Sequence, residues 1–321
     1  GCAGEAEVTR WLLKLLGPAL LAALVLTTEI DAITDVLRKA DPVRFAQATA
    51  CWVAIAALKA WRWQQLLAAQ AIRLPYAKAL HWYVAGLFLG GVSPGRLGEL
   101  IKVSFIRDLG HPMGRALFSS VLDRLFDLLV LPMVAVAGMG LYGTVFKDEL
   151  EVGGLALAVI ALGGLLAWRA SGLIRRVLAI PVRLLMPKQM QAEANLTVDD
   201  FFQEFRTISM ADWMKHGLLT AVCWIIYGGA AVLLAEGIGL TVNPIWIGIA
   251  VLAAALAGLI PITISGIGTR DAVLAGFFAR VGSGTAPAIA LSTLLLGLNL
   301  AVILLYWPAY HRALSARPSP E

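Results

Sequence analysis

Apolar runs near twenty residues long, parted by short polar stretches, recur from one end of the chain to the other. Six read as full spans: Trp11 to Thr28, Pro42 to Ala60, Gly114 to Tyr142, Val152 to Trp168, Asp212 to Ala235 and Ala286 to Tyr310. About 20 apolar residues in helical form cross a hydrocarbon core of ~30 Å, so each run predicts a transmembrane helix. Two further runs are interrupted. His81 to Ser104 contains Gly91, Pro94, Gly95 and Gly98, and Ile245 to Phe278 contains Pro261, Gly266 and Gly268. Proline removes a backbone donor and glycine raises the entropy lost on ordering, so neither segment sustains one continuous helix. Freed backbone groups facing lipid cost several kcal/mol each, and a break at membrane depth is tolerated only inside protein or beside water. Each interrupted run therefore predicts a re-entrant helical hairpin beside a polar cavity. The expected fold is all-α: a polytopic membrane helix bundle of about six full spans plus two re-entrant hairpins.

Composition agrees with this pattern. Hydrophobic residues make up 59% of the 321, charged residues only 15%, and mean hydropathy is +0.79. Soluble domains carry roughly 25% charge, so an integral membrane protein is expected, with residues 1–321 as a single membrane domain. The formal charge of +5 sits in short loops between apolar runs, which predicts membrane topology and contact with anionic lipid at the cytoplasmic surface rather than nucleic acid. The first apolar run lacks a small-residue cleavage site and reads as a retained span.

Counting crossings sets the orientation. If His81–Ser104 crossed fully, the basic segment Lys102 to Arg115 would lie outside and the acidic segment Lys147 to Glu151 inside. A hairpin returning to its own side reverses both, and the same treatment of Ile245–Phe278 brings Arg312 and Arg317 inside. Both termini are then cytoplasmic and the inner loops hold most of the Lys and Arg, as the positive-inside rule requires. The hairpins enter from opposite faces, in pseudo-halves about 1–168 and 212–321. Between them, residues 169–211 mix Arg175, Arg176 and Arg183 with Ile174, Val177 and Leu184, the pattern of an amphipathic helix on the cytoplasmic interface. Thr197 and Asp200 form a capping-box pattern ahead of Phe201, Phe202 and Phe205. Glycine-interrupted segments in matching places of oppositely oriented halves point to a transport site near the midplane.

The candidate site follows from charges that apolar helices cannot leave bare. Ser120, Asp123, Arg124 and Asp127 fall at i, i+3, i+4 and i+7 and share one helical stripe. A charge at the bilayer centre costs about 3 kcal/mol on insertion scales, so the stripe must face a partner or water. Two readings fit Asp123 and Asp127: an ion-pair network that locks helices together, or part of a binding site. In the second, Arg96, Arg124 and Arg270 offer planar forks to a phosphate, a grip that suits arginine better than lysine. Glu99, Asp127 and Asp271 then either hold those arginines when no ligand is present or carry a coupling proton. Ser93 and Lys102 complete the expected substrate-binding set. Lys59 and Arg62 end a span beside a basic loop, where headgroup contact and simple snorkelling look alike. His81, His111, His216 and His311 are scattered without metal-ligand spacing, and Cys2, Cys51 and Cys223 read as packing residues, so neither metal nor cofactor is expected.

The order of motifs is distinctive. Arg62-Trp63, Gly86-x-Phe88, Pro94-Gly-Arg-x-Gly-Glu99, Arg115-Ala116, Ser120-Val-x-x-Asp-Arg-x-x-Asp127 and Pro261-x-x-x-x-Gly-x-Gly-x-Arg-Asp271 resemble the flippase-like family named after the transmembrane region of lysylphosphatidylglycerol synthase. The resemblance spans essentially the whole chain. It implies a multi-pass protein of a prokaryotic cytoplasmic (inner) membrane that moves a lipid with a phosphate-bearing or modified headgroup between leaflets. Phospholipid, polyprenyl-linked and hopanoid-type lipids all fit. Asp123 and Asp271 stand where many relatives have glutamate. No soluble aminoacyl-transfer domain is appended, so lipid aminoacylation is not expected, nor is enzymatic activity. Two alternatives are a membrane subunit recruiting a lipid or glycan biosynthetic enzyme, and a membrane-embedded lipid transferase using Glu99, Asp123 or Asp127 as base. A second copy of the chain or a biosynthetic enzyme are the protein partners left open.

Overall fold

The computed structural model describes residues 38, 40–93, 98–143, 208–258, 269–283 and 285–315, with scattered positions from 145 to 157. The first span, the interfacial stretch 169–207 and both hairpin tips, with Pro94, Gly95, Arg96, Pro261, Gly266 and Gly268, lie outside the described residues. Every regular element among the described residues is helical: α1 (Pro42–Ala69), α2 (Tyr76–Val92), α3 (Ile101–Arg107), α4 (Met113–Gly140), α5 (Met210–Gly237), α6 (Pro244–Gly258), α7 (Thr269–Arg280) and α8 (Thr285–Ser315).

Local chemistry starts and stops these helices. Asp41 caps α1, its Oδ1 accepting the Val43 N–H at 2.8 Å, and Asn243 caps α6 by accepting the Ile245 N–H at 2.9 Å. Each cap is followed by proline at the first helical position, where the missing N–H costs nothing. α5 opens with a reciprocal box: Ser209 Oγ accepts the Asp212 N–H at 3.1 Å and donates to Asp212 Oδ2 at 2.7 Å. At the other end of helices, four turns among the described residues leave in the left-handed conformation, at Gly110 (φ 85°), Gly239 (φ 72°), Gly282 (φ 69°) and Ala71 (φ 61°). In the last, the Ile72 N–H reaches back to the Leu67 carbonyl at 2.9 Å, satisfying an orphan acceptor although alanine pays a Cβ penalty there.

α1 differs from the sequence reading. It does not stop at Ala60 but runs on to Ala69, so Lys59 and Arg62 are helical and buried rather than part of a solvated loop. The physical reason lies in Trp61 to Ala69, which contains no glycine or proline and keeps supplying helix formers and apolar side chains.

The described residues divide into two compact units. The first draws on 1–61, 75–101 and 222–321, the second on 62–74 and 102–221. In the first, α8 packs along α2, with the Phe88 ring 4.8 Å from Tyr310 and 5.2 Å from Trp307. α6 and α7 form an antiparallel pair: Trp246 Nε1 donates to the Phe277 carbonyl at 3.2 Å. α7 packs in turn on α8. The second unit is built on a core of Leu66, Phe118, Leu122, Phe126 and Ile208, with Leu125 and Trp213 against it.

α5 and α8 are, among the described residues, the helices both long and apolar enough to cross a membrane. At 1.5 Å per residue the 28 residues of α5 extend about 42 Å. Met210, Met214, Leu218 and Ile225 on α5 expose 62–75% of their surface. Such an apolar stripe fits a face turned to lipid, since soluble monomers seldom leave large apolar patches bare.

Candidate functional site

The stripe on α4 is where the fold concentrates charge. Asp123 and Asp127 are buried, 0% and 3% exposed, and lie one turn apart on the same face. Two bare carboxylates could not stay ionised there. α1 answers them with Arg62, which is 0% exposed. Its Nε and Nη2 donate to Asp123 Oδ1 at 3.0 and 2.7 Å, and Nη2 also donates to the Asp123 main-chain carbonyl at 2.8 Å. Nη1 reaches Asp127 Oδ1 at 3.3 Å and the Thr220 hydroxyl oxygen of α5. Thr220 can accept because its own O–H is given to the His216 carbonyl at 2.6 Å. From α3, Lys102 Nζ donates to Asp123 Oδ2 at 3.0 Å. The cations are further covered by aromatic faces, Lys102 by Trp63 at 5.3 Å and Arg62 by Phe126 at 5.8 Å. His216, whose ring lies 5.7 Å from Phe126, and Ser120 are buried beside this cluster.

Arg124 lies at the edge of the cluster. Its side chain keeps 24% exposure and its Nη1 lies 3.9 Å from Asp127 Oδ2, the outer limit of an ion pair. Of the four stripe residues it is thus the one turned furthest outward.

In the first unit the chain reverses after α2. Residues 98–100 form a single 3₁₀ turn, and a Cβ on Gly98 would overlap the Leu89 carbonyl, so the returning chain lies directly on α2. Gly90 leaves room for Glu99, whose Cγ occupies the space a Cβ would take. Glu99 is 3% exposed. Ser93 ties this reversal: its Oγ accepts the Gly98 N–H at 2.8 Å. The same unit holds Arg270 in the first turn of α7. Arg270 Nε donates to Ser292 Oγ and Nη2 to the Ser292 carbonyl, both at 3.0 Å, and the Ser292 hydroxyl donates to Asp271 Oδ1. Asp271 Oδ1 lies 3.7 Å from Arg270 Nη2, with 38% of its side chain exposed. Arg270 is 8% exposed, and its Nη1 makes no hydrogen bond among the described residues.

The structure therefore brings Asp123, Asp127 and Lys102 together in one cluster and Arg270 with Asp271 in another place, while Glu99 and Ser93 shape the first reversal. Arg62, Thr220 and Ser292 were not singled out for these roles. The signal for Arg62 was present: two carboxylates on one apolar helix need more cation than the adjacent Arg124 supplies, and Arg62 stands between Trp61 and Trp63 in a run that continues helical.

The motifs at these positions carry a family likeness that extends along the chain. The model of the family described as lysylphosphatidylglycerol synthase TM region matches residues 12–306. The chain belongs to this family. Membership makes it a membrane protein tied to lipid metabolism or translocation, in keeping with the apolar helices α5 and α8. The match takes in α1 to α7 and most of α8, so the buried cluster and the Arg270 site both fall within the family region. A search of curated proteins gives no match to this chain.

Proposed function

We propose that this protein moves a lipid with a phosphate-bearing or modified headgroup across the cytoplasmic membrane, without covalent chemistry. The observation that carries this reading is Arg270. A buried guanidinium is held at the start of a helix by a serine through Nε and Nη2, with Nη1 unbonded among the described residues and the half-exposed Asp271 alongside. A helix N-terminus and a fixed arginine fork both favour an anion, and a headgroup phosphate is the anion that a lipid brings. Arg96, outside the described residues, is the second fork nominated by the sequence, with Arg124 the outward member of the α4 stripe.

The reversal at Ser93–Gly98 and the antiparallel α6–α7 pair support two re-entrant hairpins; their opposite orientation, as an inverted repeat, rests on the crossing count read from the sequence. In this reading the headgroup passes through a polar cavity while the acyl or prenyl chains stay in lipid, and the two halves expose the site alternately.

Purified protein in vesicles with headgroup-labelled lipids tests the proposal by leaflet exchange over a panel of anionic, zwitterionic and polyprenyl-linked lipids. Accelerated exchange of at least one lipid is expected, with Arg270→Lys slowing it about tenfold because a point charge cannot reproduce the fork. Exchange that never exceeds that of protein-free vesicles across the panel overturns the reading.

A further inference from the structure

The first turns of α2 lie beside the last turns of α8. Phe88 of α2 meets Trp307 and Tyr310, and Gly91, three residues on, lies against Ile303, so the two helices run antiparallel. At this end of the pair α2 carries Lys78 and His81, and α8 carries Arg312. Lys78 and His81 stand at i and i+3 on one face, and the charge of Arg312 acts on the His81 ring. Three basic side chains are thus gathered from two helices. None of them makes an ion pair or a side-chain hydrogen bond among the described residues; Lys78 rests its ammonium over the Trp82 ring at 4.8 Å. Neither helix contains an aspartate or a glutamate.

Local helix chemistry accounts for only part of this grouping. Arg312 suits the last turn of α8, but Lys78 sits in the first turn of α2, at the positive end of the helix dipole, where a cation is disfavoured. Like charges brought together without a carboxylate between them repel, and an anion relieves that repulsion. The surface leading to Arg312 says which anion. Leu304 and Leu305 are 56% and 58% exposed, and Leu304, Pro308 and Arg312 follow one another at i, i+4 and i+8. A row of bare apolar side chains therefore ends at a cation about 12 Å further along the helix. A membrane lipid has the same order, chains first and phosphate last, whereas a free phosphate leaves the row unused.

We propose that this end of the α2–α8 pair seats a resident anionic lipid. Arg312, Lys78 and His81 meet its phosphate, and one chain lies along Leu304 and Leu305. A zwitterionic lipid brings its own cation to a cluster that already lacks an anion, and is the poorer occupant. Only the membrane placement given by family membership is needed for this, and a lipid held here is distinct from the cargo proposed above.

The full chain, taken up from vesicles of equal phosphatidylglycerol and phosphatidylcholine into mild detergent, tests the site by native mass spectrometry of the lipid it retains. A p-benzoylphenylalanine at Leu305 captures the neighbouring lipid on illumination and locates it. Two paired variants lose the same charge: Lys78→Gln with Arg312→Gln at the cluster, and Arg73→Gln with Arg107→Gln at exposed positions outside it. Phosphatidylglycerol is expected to be enriched over phosphatidylcholine in both the retained lipid and the crosslink. The cluster pair loses that enrichment by about thirtyfold and Arg312→Gln alone by about fivefold, the scale set by basic side chains near a membrane surface. The other pair keeps it.

Equal losses in the two pairs overturn the site, because a diffuse basic surface would produce them. A crosslink at position 305 without preference for phosphatidylglycerol overturns it as well. Displacement of the retained lipid by inorganic phosphate at equal concentration makes a free anion the occupant and overturns the lipid assignment. Leaflet exchange enters none of these readouts, so they stand or fall apart from the translocator reading.

Discussion

Two buried arginines of this chain are treated in opposite ways. Arg62 is gripped by carboxylates: Asp123 and Asp127 accept from its Nε, Nη1 and Nη2, and Thr220 adds a hydroxyl. Arg270 is gripped by dipoles, the hydroxyl and carbonyl of Ser292, with its nearest carboxylate 3.7 Å away and half exposed. The first arrangement spends the charge on holding α1 to α4. The second orients the guanidinium through neutral groups, which under the proposed function leaves it able to meet an incoming anion. Burial alone therefore does not mark an arginine as structural or functional; the kind of partner does.

The largest test of this contrast is Arg62→Met. It leaves two carboxylates buried without their fork, and breaking a buried ion pair in this way costs about 3–5 kcal/mol. Thermal unfolding in detergent, followed by size-exclusion chromatography of heated samples, is expected to show a large drop in Tm or no folded protein. Arg270→Met sharpens the comparison. Its hydrogen-bond partners are neutral and Asp271 keeps access to solvent, so the loss is expected near 1–2 kcal/mol, while lipid exchange falls to background. A Tm loss equal to that of Arg62→Met would erase the distinction between the two arginines. Ser292→Ala comes next: removing the hydroxyl that positions Nε costs about 1 kcal/mol, and slower exchange in a protein that stays folded would show that orientation matters beyond charge. The smallest effect belongs to a site remote in chemistry from both. Ala71→Gly relieves the left-handed strain at φ 61° and is expected to raise stability by about 0.5 kcal/mol with exchange unaltered, a control for the sensitivity of the Tm assay.

Much of the helical layout is legible in the order of residues. Asp41-Pro42 and Asn243-Pro244 announce the starts of α1 and α6, and Gly239 and Gly282 announce exits after α5 and α7. A cluster of basic residues after an apolar run usually means an interfacial loop, so the sequence predicts an end for α1 that is too early, and only the partners on α4 allow the longer helix to bury Arg62. Ser209 and Asp212 form the capping box at α5, an S-x-x-D pattern present in the sequence, while the one at Thr197 and Asp200 lies outside the described residues.

The sequence by itself determined what kind of molecule this is: a helical membrane chain of its family, with breaks at fixed places and a charged stripe Ser120 to Asp127 on one face of one helix. Those properties follow from local rules, since periodicity, caps and hydropathy act within a few residues of each other. Only the tertiary structure decided which charges meet. Arg62 and Asp123 stand 61 positions apart, Arg270 and Ser292 22 apart. No local rule reaches across such distances; helix packing selects the pairings, and burial makes each one strong enough to matter.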